Sequence, residues 1–258
     1  MTTTPGISIP ISLDSTALVT GATSGIGRAT AIRLGVSGHR VVVAGRRSAR
    51  AAEIAESIRA AGGRAESVTA DLGDADQVLR LARTALEAGE GRVDVLINNA
   101  AAYPPGSGAT ADTAVEAVDA AFATSVRAPY LLMRELAPGM AERGRGAVVN
   151  LISTAASVGM PGLGLYGATK AALAQLTRAW AAEFGPKGVR VNAVSPGPTS
   201  TEGTARFGDF LLHLASQAPA GRVAAPEEIA AVIDFLVSDD ASFVQGVVLP
   251  ADGGRLAV

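Results

Sequence analysis

Cysteine is absent from this chain, and histidine occurs only at His39 and His213. Disulfides and thiolate metal sites are thereby excluded, and a histidine-built metal centre has too few ligands, so no metal is expected. Aromatic residues reach only 4%, which leaves Ala, Val, Leu and Ile to build the core. No apolar run approaches the ~20 residues that span a bilayer. No Lys or Arg precedes Arg28, so a secretory leader would lack its basic start. The net charge is −2, and neither a nucleic acid nor an anionic membrane finds a basic face to bind. Repeats, linkers and low-complexity blocks are missing as well. These absences make a soluble cytoplasmic protein the expectation. Lysine is also scarce: it stands only at positions 170 and 187, while arginine supplies the other cations. A lysine at 170 therefore reads as a chemical choice.

What is present is an alternating pattern. Hydrophobic residues fill 48% of 258 positions, which suits one large α/β domain over 15–258 behind an extended lead-in over 1–14. Short apolar runs predict strands over 17–20, 41–44, 65–70, 93–97, 147–152, 189–194 and 247–249. Helical patterns lie between them over 28–37, 48–61, 74–88, 110–143 (bent near Pro129), 165–184 and 226–237. The strands read as apolar on both faces. That predicts a Rossmann-like, doubly wound, mostly parallel seven-stranded sheet with helices on both faces. In such sheets ligands bind beyond the carboxyl ends of the strands. Gly21, Gly45, Asp71, Asn98, Ser153 and Pro196 stand at those ends, so the candidate chemistry gathers on one rim.

Two stretches carry that chemistry. Gly21-Ala22-Thr23-Ser24-Gly25-Ile26-Gly27 lies between a strand and a helix. Gly21 can take a backbone angle that other residues avoid. Gly25 and Gly27 clear side chains from where a pyrophosphate and a strand approach, and the helix start offers free N–H groups. After the second strand comes Gly45-Arg46-Arg47, with no carboxylate for a ribose diol. Two guanidiniums there favour a 2′-phosphate, hence NADP over NAD, although two solvated arginines fit the same pattern. The second stretch is Tyr166-Gly167-Ala168-Thr169-Lys170. On a helix, residues four apart share a face. A cation beside a phenol favours the phenolate and draws its pKa down from about 10, which makes an acid–base group near neutral pH. Taken alone, the pair also fits a packing tyrosine and a surface lysine.

In this order the residues resemble the short-chain dehydrogenase/reductase family, over 17–254. Thr20 to Gly27 matches TGxxxGxG, Asn98-Asn99-Ala100 the start of NNAG, Ser153 with Tyr166 and Lys170 the Ser and YxxxK positions, and Pro196-Gly197 with Thr201 the PGxxxT motif; Asp252-Gly253-Gly254 resembles the family's tail. The resemblance implies an NADP-dependent oxidoreductase of carbonyls or secondary alcohols, with NAD possible. Tyr166 would be the general acid/base, Lys170 its partner and a nicotinamide-ribose ligand, and Ser153 the holder of the substrate oxygen. Thr20, Gly21, Ser24, Gly25, Ile26, Gly27, Arg46, Arg47, Asp71, Leu72, Asn98, Ala100, Tyr166, Lys170, Pro196, Gly197, Thr199 and Thr201 would contact the cofactor. Two positions depart from the family. Ser125 stands where an asparagine usually holds a water of the proton relay, so the relay is expected to be altered but present. Ala101 replaces the last glycine of NNAG.

The expected pocket walls are 102–108, 154–164 and 199–217, with Tyr103, Val158, Met160, Leu163, Phe207, Phe210, Leu211 and Leu212 facing a neutral or hydrophobic substrate. Several of these residues also suit the core or a subunit interface, and Arg206 with His213 could greet an anion instead. The segment 199–225 reads as a lid, loosest over 201–208. A non-catalytic NAD(P)-binding regulator or scaffold is the alternative function, and an epimerase or dehydratase has little room for its larger substrate domain. In the family that the chain resembles, helices with Ala- and Leu-rich faces such as those over 110–143 and 165–184 pair between subunits, so the resemblance implies a homotetramer or homodimer.

Overall fold

The computed structural model describes residues 15–102 and 108–258. The lead-in and Tyr103 lie outside them. The chain alternates β1 (Thr16–Thr20), α1 (Gly25–Val36), β2 (Arg40–Gly45), α2 (Ser48–Ala60), β3 (Arg64–Thr69), α3 (Ala75–Ala88), β4 (Val95–Asn98), α4 (Val115–Phe122), α5 (Ala128–Glu142), β5 (Gly146–Leu151), α6 (Gly164–Phe184), β6 (Val189–Pro196), α7 (Gly208–Ser216), α8 (Pro226–Val237) and β7 (Val248–Ala251). Seven strands form one sheet in the order β3-β2-β1-β4-β5-β6-β7. Every neighbouring pair is parallel. The order reverses between β1 and β4, so the helices that follow them leave in opposite directions and a crevice opens between.

Side-chain alternation along each strand splits the core in two. Leu18, Val42, Leu96, Val148 and Val191 face α3, α5 and α6. Val19, Val41, Ile97 and Val149 face α1, α2 and α8. Four central strands, β1, β4, β5 and β6, are buried along their whole length, the continuous apolar runs that a sheet covered on both faces requires. The edge differs from expectation. Arg64, Glu66, Ser67 and Thr69 of β3 are exposed, and charge on an outer strand discourages pairing with another chain.

The helix expected over 110–143 is interrupted. A 3₁₀ turn covers Thr110–Asp112, α4 begins only at Val115, and a π-helical turn over Ala123–Arg127 separates α4 from α5. Pro129 has no N–H to give the carbonyl four residues back, and one extra residue in the turn absorbs the mismatch. This turn carries Ser125, which is fully buried.

Candidate active site

Above the carboxyl ends of β1, β2 and β3 lies a cavity of about 610 Å³ lined by Thr20, Gly21, Ser24, Gly25, Ile26, Arg46, Arg47, Asp71, Leu72 and Ala100. Its floor is knit by hydrogen bonds. The Thr20 hydroxyl donates to Ile97 O at 3.0 Å and accepts the N–H groups of Asn99 and Ala100 at 3.0 and 3.2 Å. The Asn99 amide donates to Thr20 O and Gly21 O at 2.9 and 3.2 Å. Gly21 turns at φ +63°, a conformation that costs a side-chain-bearing residue about 1–2 kcal/mol. Gly27 has a different reason to be glycine. A Cβ there would stand 2.3 Å from Gly21 O and 2.4 Å from Asn99 Nδ2. It lies beneath the loop and lets α1 close on it. Arg47 donates from Nη2 to Thr23 O at 3.1 Å, whereas Arg46 is exposed and has no hydrogen bond or ion pair among the described residues.

A second cavity of about 490 Å³ continues over the ends of β5 and β6. Ile26, Asn99, Ala101, Thr201 and Gly203 line both cavities, so the two form one cleft. Ser153, Tyr166 and Lys170 meet here with Pro196, Gly197, Thr199 and Thr201. Lys170 is only 2% exposed. Its Nζ donates to Leu151 O at 2.6 Å and sits 5.7 Å from the centroid of the Tyr166 ring. Burial lowers its ammonium from the ordinary 10.5 to about 8, because the charged form has left water. Ser153 caps a 3₁₀ turn, Thr154–Ala156, and its Oγ accepts the Ala155 N–H at 3.2 Å. Among the described residues the hydroxyl proton of Ser153 has no acceptor. A Cβ at position 167 would lie 2.5 Å from Ala155 O, so the glycine after Tyr166 lets α6 press on the Ser153 turn.

The segment expected to form a lid starts and ends on one strap. Ser200 N donates to Ala224 O and Ala224 N to Pro198 O, both at 2.9 Å. Thr201 and Thr204 exchange amide-to-hydroxyl bonds at 2.9 and 3.1 Å, and the Thr204 hydroxyl reaches Thr199 O at 2.7 Å. A tied turn therefore stands where the sequence predicts the loosest part of the lid. Glu202, next to it, reaches back to α1. Its carboxylate accepts the Gly25 N–H at 2.9 Å and pairs with Arg28 at 2.6 Å.

A family model described as enoyl-(acyl carrier protein) reductase matches residues 21–255. The chain belongs to the short-chain dehydrogenase/reductase family. Cis-4-hydroxycyclohexanecarboxylate dehydrogenase of Sinomonas cyclohexanicum is 40% identical over 94% of this chain and 96% of its own length. An NADPH-dependent aldehyde reductase-like protein of Arabidopsis thaliana chloroplasts is 32% identical over 92% and 93%. Among solved structures, a putative NAD(P)-dependent gluconate 5-dehydrogenase from Beutenbergia cavernae with bound NADP superposes with a TM-score of 0.88 at 38% identity, over 96% of this chain and all of the other. This short-chain dehydrogenase/reductase is thus an oxidoreductase of CH–OH and C=O groups, in a family that binds NAD(P). The glycine floor, the unpaired Arg46 and the open rim fit such a dinucleotide.

Not every expected residue lies in the cleft of this dehydrogenase/reductase. Asn98 is 1% exposed and donates to Asn150 Oδ1 at 2.8 Å, which continues to Thr177 at 2.8 Å; Asn98 thus ties β4 to β5 and α6. The neighbouring Asn99 faces the cleft instead, as period-two alternation dictates. Ser125 lines neither cavity, and its Oγ accepts the Ala102 N–H at 3.3 Å. Val158, Leu212 and His213 are absent from the walls. His213 hydrogen-bonds Gln217 at 3.1 Å, so it is not placed to meet a substrate anion. Thr124 and Arg255 line the cleft although neither was expected there: Thr124 had no local pattern to mark it, while Arg255 follows directly on Asp252-Gly253-Gly254. Among the described residues no group of acidic, His or Cys side chains could hold a metal, and no helix is long and apolar enough to cross a membrane.

Proposed function

We propose that the protein is an NADP-dependent oxidoreductase interconverting a carbonyl and a secondary alcohol, with Tyr166 as general acid and base. The convergence of Ser153, Tyr166 and the buried Lys170 on one cavity carries this reading. Bound NADPH or NADP⁺ supplies or takes up the hydride. The Ser153 hydroxyl, its lone pair engaged by Ala155, donates to the substrate oxygen and steadies the charge that builds there. Tyr166 gives that oxygen its proton in reduction and takes it back in oxidation. Lys170, an ammonium fixed by Leu151 O, favours the phenolate that remains. Thr20, Gly21, Ser24, Gly25 and Ile26 would cradle the phosphates and Asp71 with Leu72 the adenine; Pro196, Gly197, Thr199 and Thr201 would wrap the nicotinamide end. Arg46 supports the preference for NADP over NAD, being a guanidinium at the rim of β2 with no hydrogen bond or ion pair among the described residues.

Met160, Leu163, Phe207, Phe210 and Leu211 line the second cavity and favour a substrate with a hydrophobic body. One catalytic domain over 15–258, with its lid over 199–225, belongs to this reading, as does a cytoplasmic setting. So does a homotetramer or homodimer: Val115, Val118, Phe122 and Tyr130 leave an exposed apolar stripe on α4 and α5, and sedimentation would count the subunits. The deciding experiment pairs NADPH and NADH titrations with a ketone panel for the native enzyme and Tyr166→Phe. The variant should keep its cofactor affinity and lose turnover by about 10²–10⁴-fold. Undiminished reduction by Tyr166→Phe would remove the tyrosine from the mechanism, and equal affinity for the two cofactors would remove the NADP preference.

A further inference from the structure

The charged residues lining the 490 Å³ cavity are all cations. Lys170, Arg206 and Arg255 come from three different elements, and no Asp or Glu is on the wall among the described residues. Lys170 is engaged by Leu151 O and Tyr166. Arg206 stacks on the Phe207 ring at 4.9 Å, on the lid. Arg255 differs from both. It is half-buried beside apolar side chains, and its guanidinium has no hydrogen bond or ion pair among the described residues. A partly desolvated guanidinium without a partner is costly, and proteins keep such groups where a ligand completes them. Its placement is also built. The Asp252 carboxylate accepts the N–H groups of Gly254 and Leu256 at 2.9 and 3.0 Å, and Gly254 turns at φ +89° to start the 3₁₀ turn Arg255–Ala257. The tail motif thus fixes a cation of the cavity wall whose guanidinium has no partner among the described residues.

We infer that Arg255 selects a substrate that carries a carboxylate on an apolar body: the oxo or hydroxy carbon reaches Tyr166 and Ser153 while the carboxylate pairs with the guanidinium. This deepens the oxidoreductase reading and rests on it. A phosphate of the cofactor would have its own cation at the other end of the cleft, Arg46. The test uses matched ketones, 4-oxopentanoate and 4-acetylbenzoate, each against its methyl ester, with NADPH. A charge-assisted pair predicts that each acid exceeds its ester by about 10- to 100-fold in kcat/KM, chiefly through KM. In Arg255→Leu the acid-to-ester ratio should collapse toward one, and Arg255→Lys should recover part of it. Equal use of acids and esters by the native enzyme, or a ratio indifferent to Arg255→Leu, overturns the assignment while leaving the oxidoreductase reading intact. If neither acid nor ester turns over, that reading is the one in difficulty, and calorimetric binding of the same pairs to the native enzyme with NADP⁺ decides for Arg255: the acid must bind at least about ten-fold tighter.

A separate observation concerns the cofactor end. Glu202 of the lid holds the Gly25 N–H and Arg28, and the Thr201 side chain packs where a Cβ on Gly25 would sit, 2.8 Å from Thr201 Cγ2. The Gly25 amide opens α1 and is a natural phosphate ligand. The geometry points to Glu202 as an internal competitor: its carboxylate occupies the anion position until a phosphate displaces it, which frees the lid as the cofactor enters. Glu202→Gln should therefore bind NADPH about 5- to 10-fold more tightly by fluorescence titration, and hydrogen exchange of the Gly25 amide in the free protein should speed up. Unchanged or weaker NADPH binding in Glu202→Gln discards the competitor role, as does an amide that exchanges at the native rate.

Discussion

The two halves of the cleft are built by different means. Over β1–β3 the floor is backbone and short side chains, with Gly21, Ser24 and Gly25 in a loop pinned by Thr20 and Asn99. Over β5 and β6 the walls are side chains from the lid, α6 and the tail: Leu163, Phe207, Phe210, Leu214 and Arg255. A backbone cradle tolerates almost no change, since a single Cβ at position 27 would meet a carbonyl. A side-chain wall can be rebuilt residue by residue while the catalytic group stays fixed. The cofactor half therefore states its ligand class in a few fixed spacings. The substrate half states only a character, apolar with excess positive charge, and leaves selection to individual side chains.

The sharpest way to break this contrast is to change one residue in each half. Gly27→Ala should lose most cofactor affinity and cost about 1–3 kcal/mol of stability by overpacking, read by NADPH titration and thermal melts. Leu211→Met on the other wall should alter KM for some ketones and leave cofactor affinity alone. Should both variants behave alike, the distinction between the halves is unfounded.

Next in size is Arg46→Ala. Loss of an unpaired guanidinium should weaken NADPH by about ten-fold and NADH hardly at all. Weakening of both cofactors alike would show that Arg46 contributes only general charge.

A smaller effect follows from Lys170. Its ammonium titrates near 8 in the fold against 10.5 ordinarily, so between those values the unfolded chain holds more protons than the folded one. Stability from this group therefore rises with pH across that window, by at most ~1.4 kcal/mol per unit, and is least favourable below it. Denaturant unfolding of the native protein and Lys170→Met from pH 7 to 10 should show the slope only in the former.

The smallest effect is expected at Ser125. Its hydroxyl braces Ala102 and lines neither cavity. Ser125→Asn should cost stability in a filled site and change turnover by less than about three-fold. A large shift in the pH profile of turnover would restore the proton-relay role that the family asparagine suggests.

Much of the first half of the cleft is legible in the sequence. Gly21, Gly25 and Gly27, followed by a helix, can be read because the geometry that binds a phosphate is local, set by backbone angles and the dipole of one helix. Tyr166 and Lys170 share a face by helical repeat alone. The misreadings came where neighbours along the chain part company in space. Asn98 and Asn99 point to opposite faces of β4, and only packing says that Asn98 bonds Asn150 while Asn99 holds the glycine loop. Ser125 lies in a π turn whose existence follows from Pro129, but its partner Ala102 sits in another loop. His213 looked available and is spent on Gln217.

The sequence by itself determined the parallel sheet, the glycine loop on its rim and the helical spacing of Tyr166 and Lys170, since each depends on short-range periodicity and on residue types with few substitutes. Only the tertiary structure decided which side chains close the substrate wall, that Glu202 reaches back to the amide of Gly25, and that the tail carries Arg255 to the cavity. Those meetings join residues from separate elements, Gly25 and Glu202 standing 177 positions apart, and a chain folded in three layers brings them together through the packing of its helices on the sheet, which no local pattern encodes.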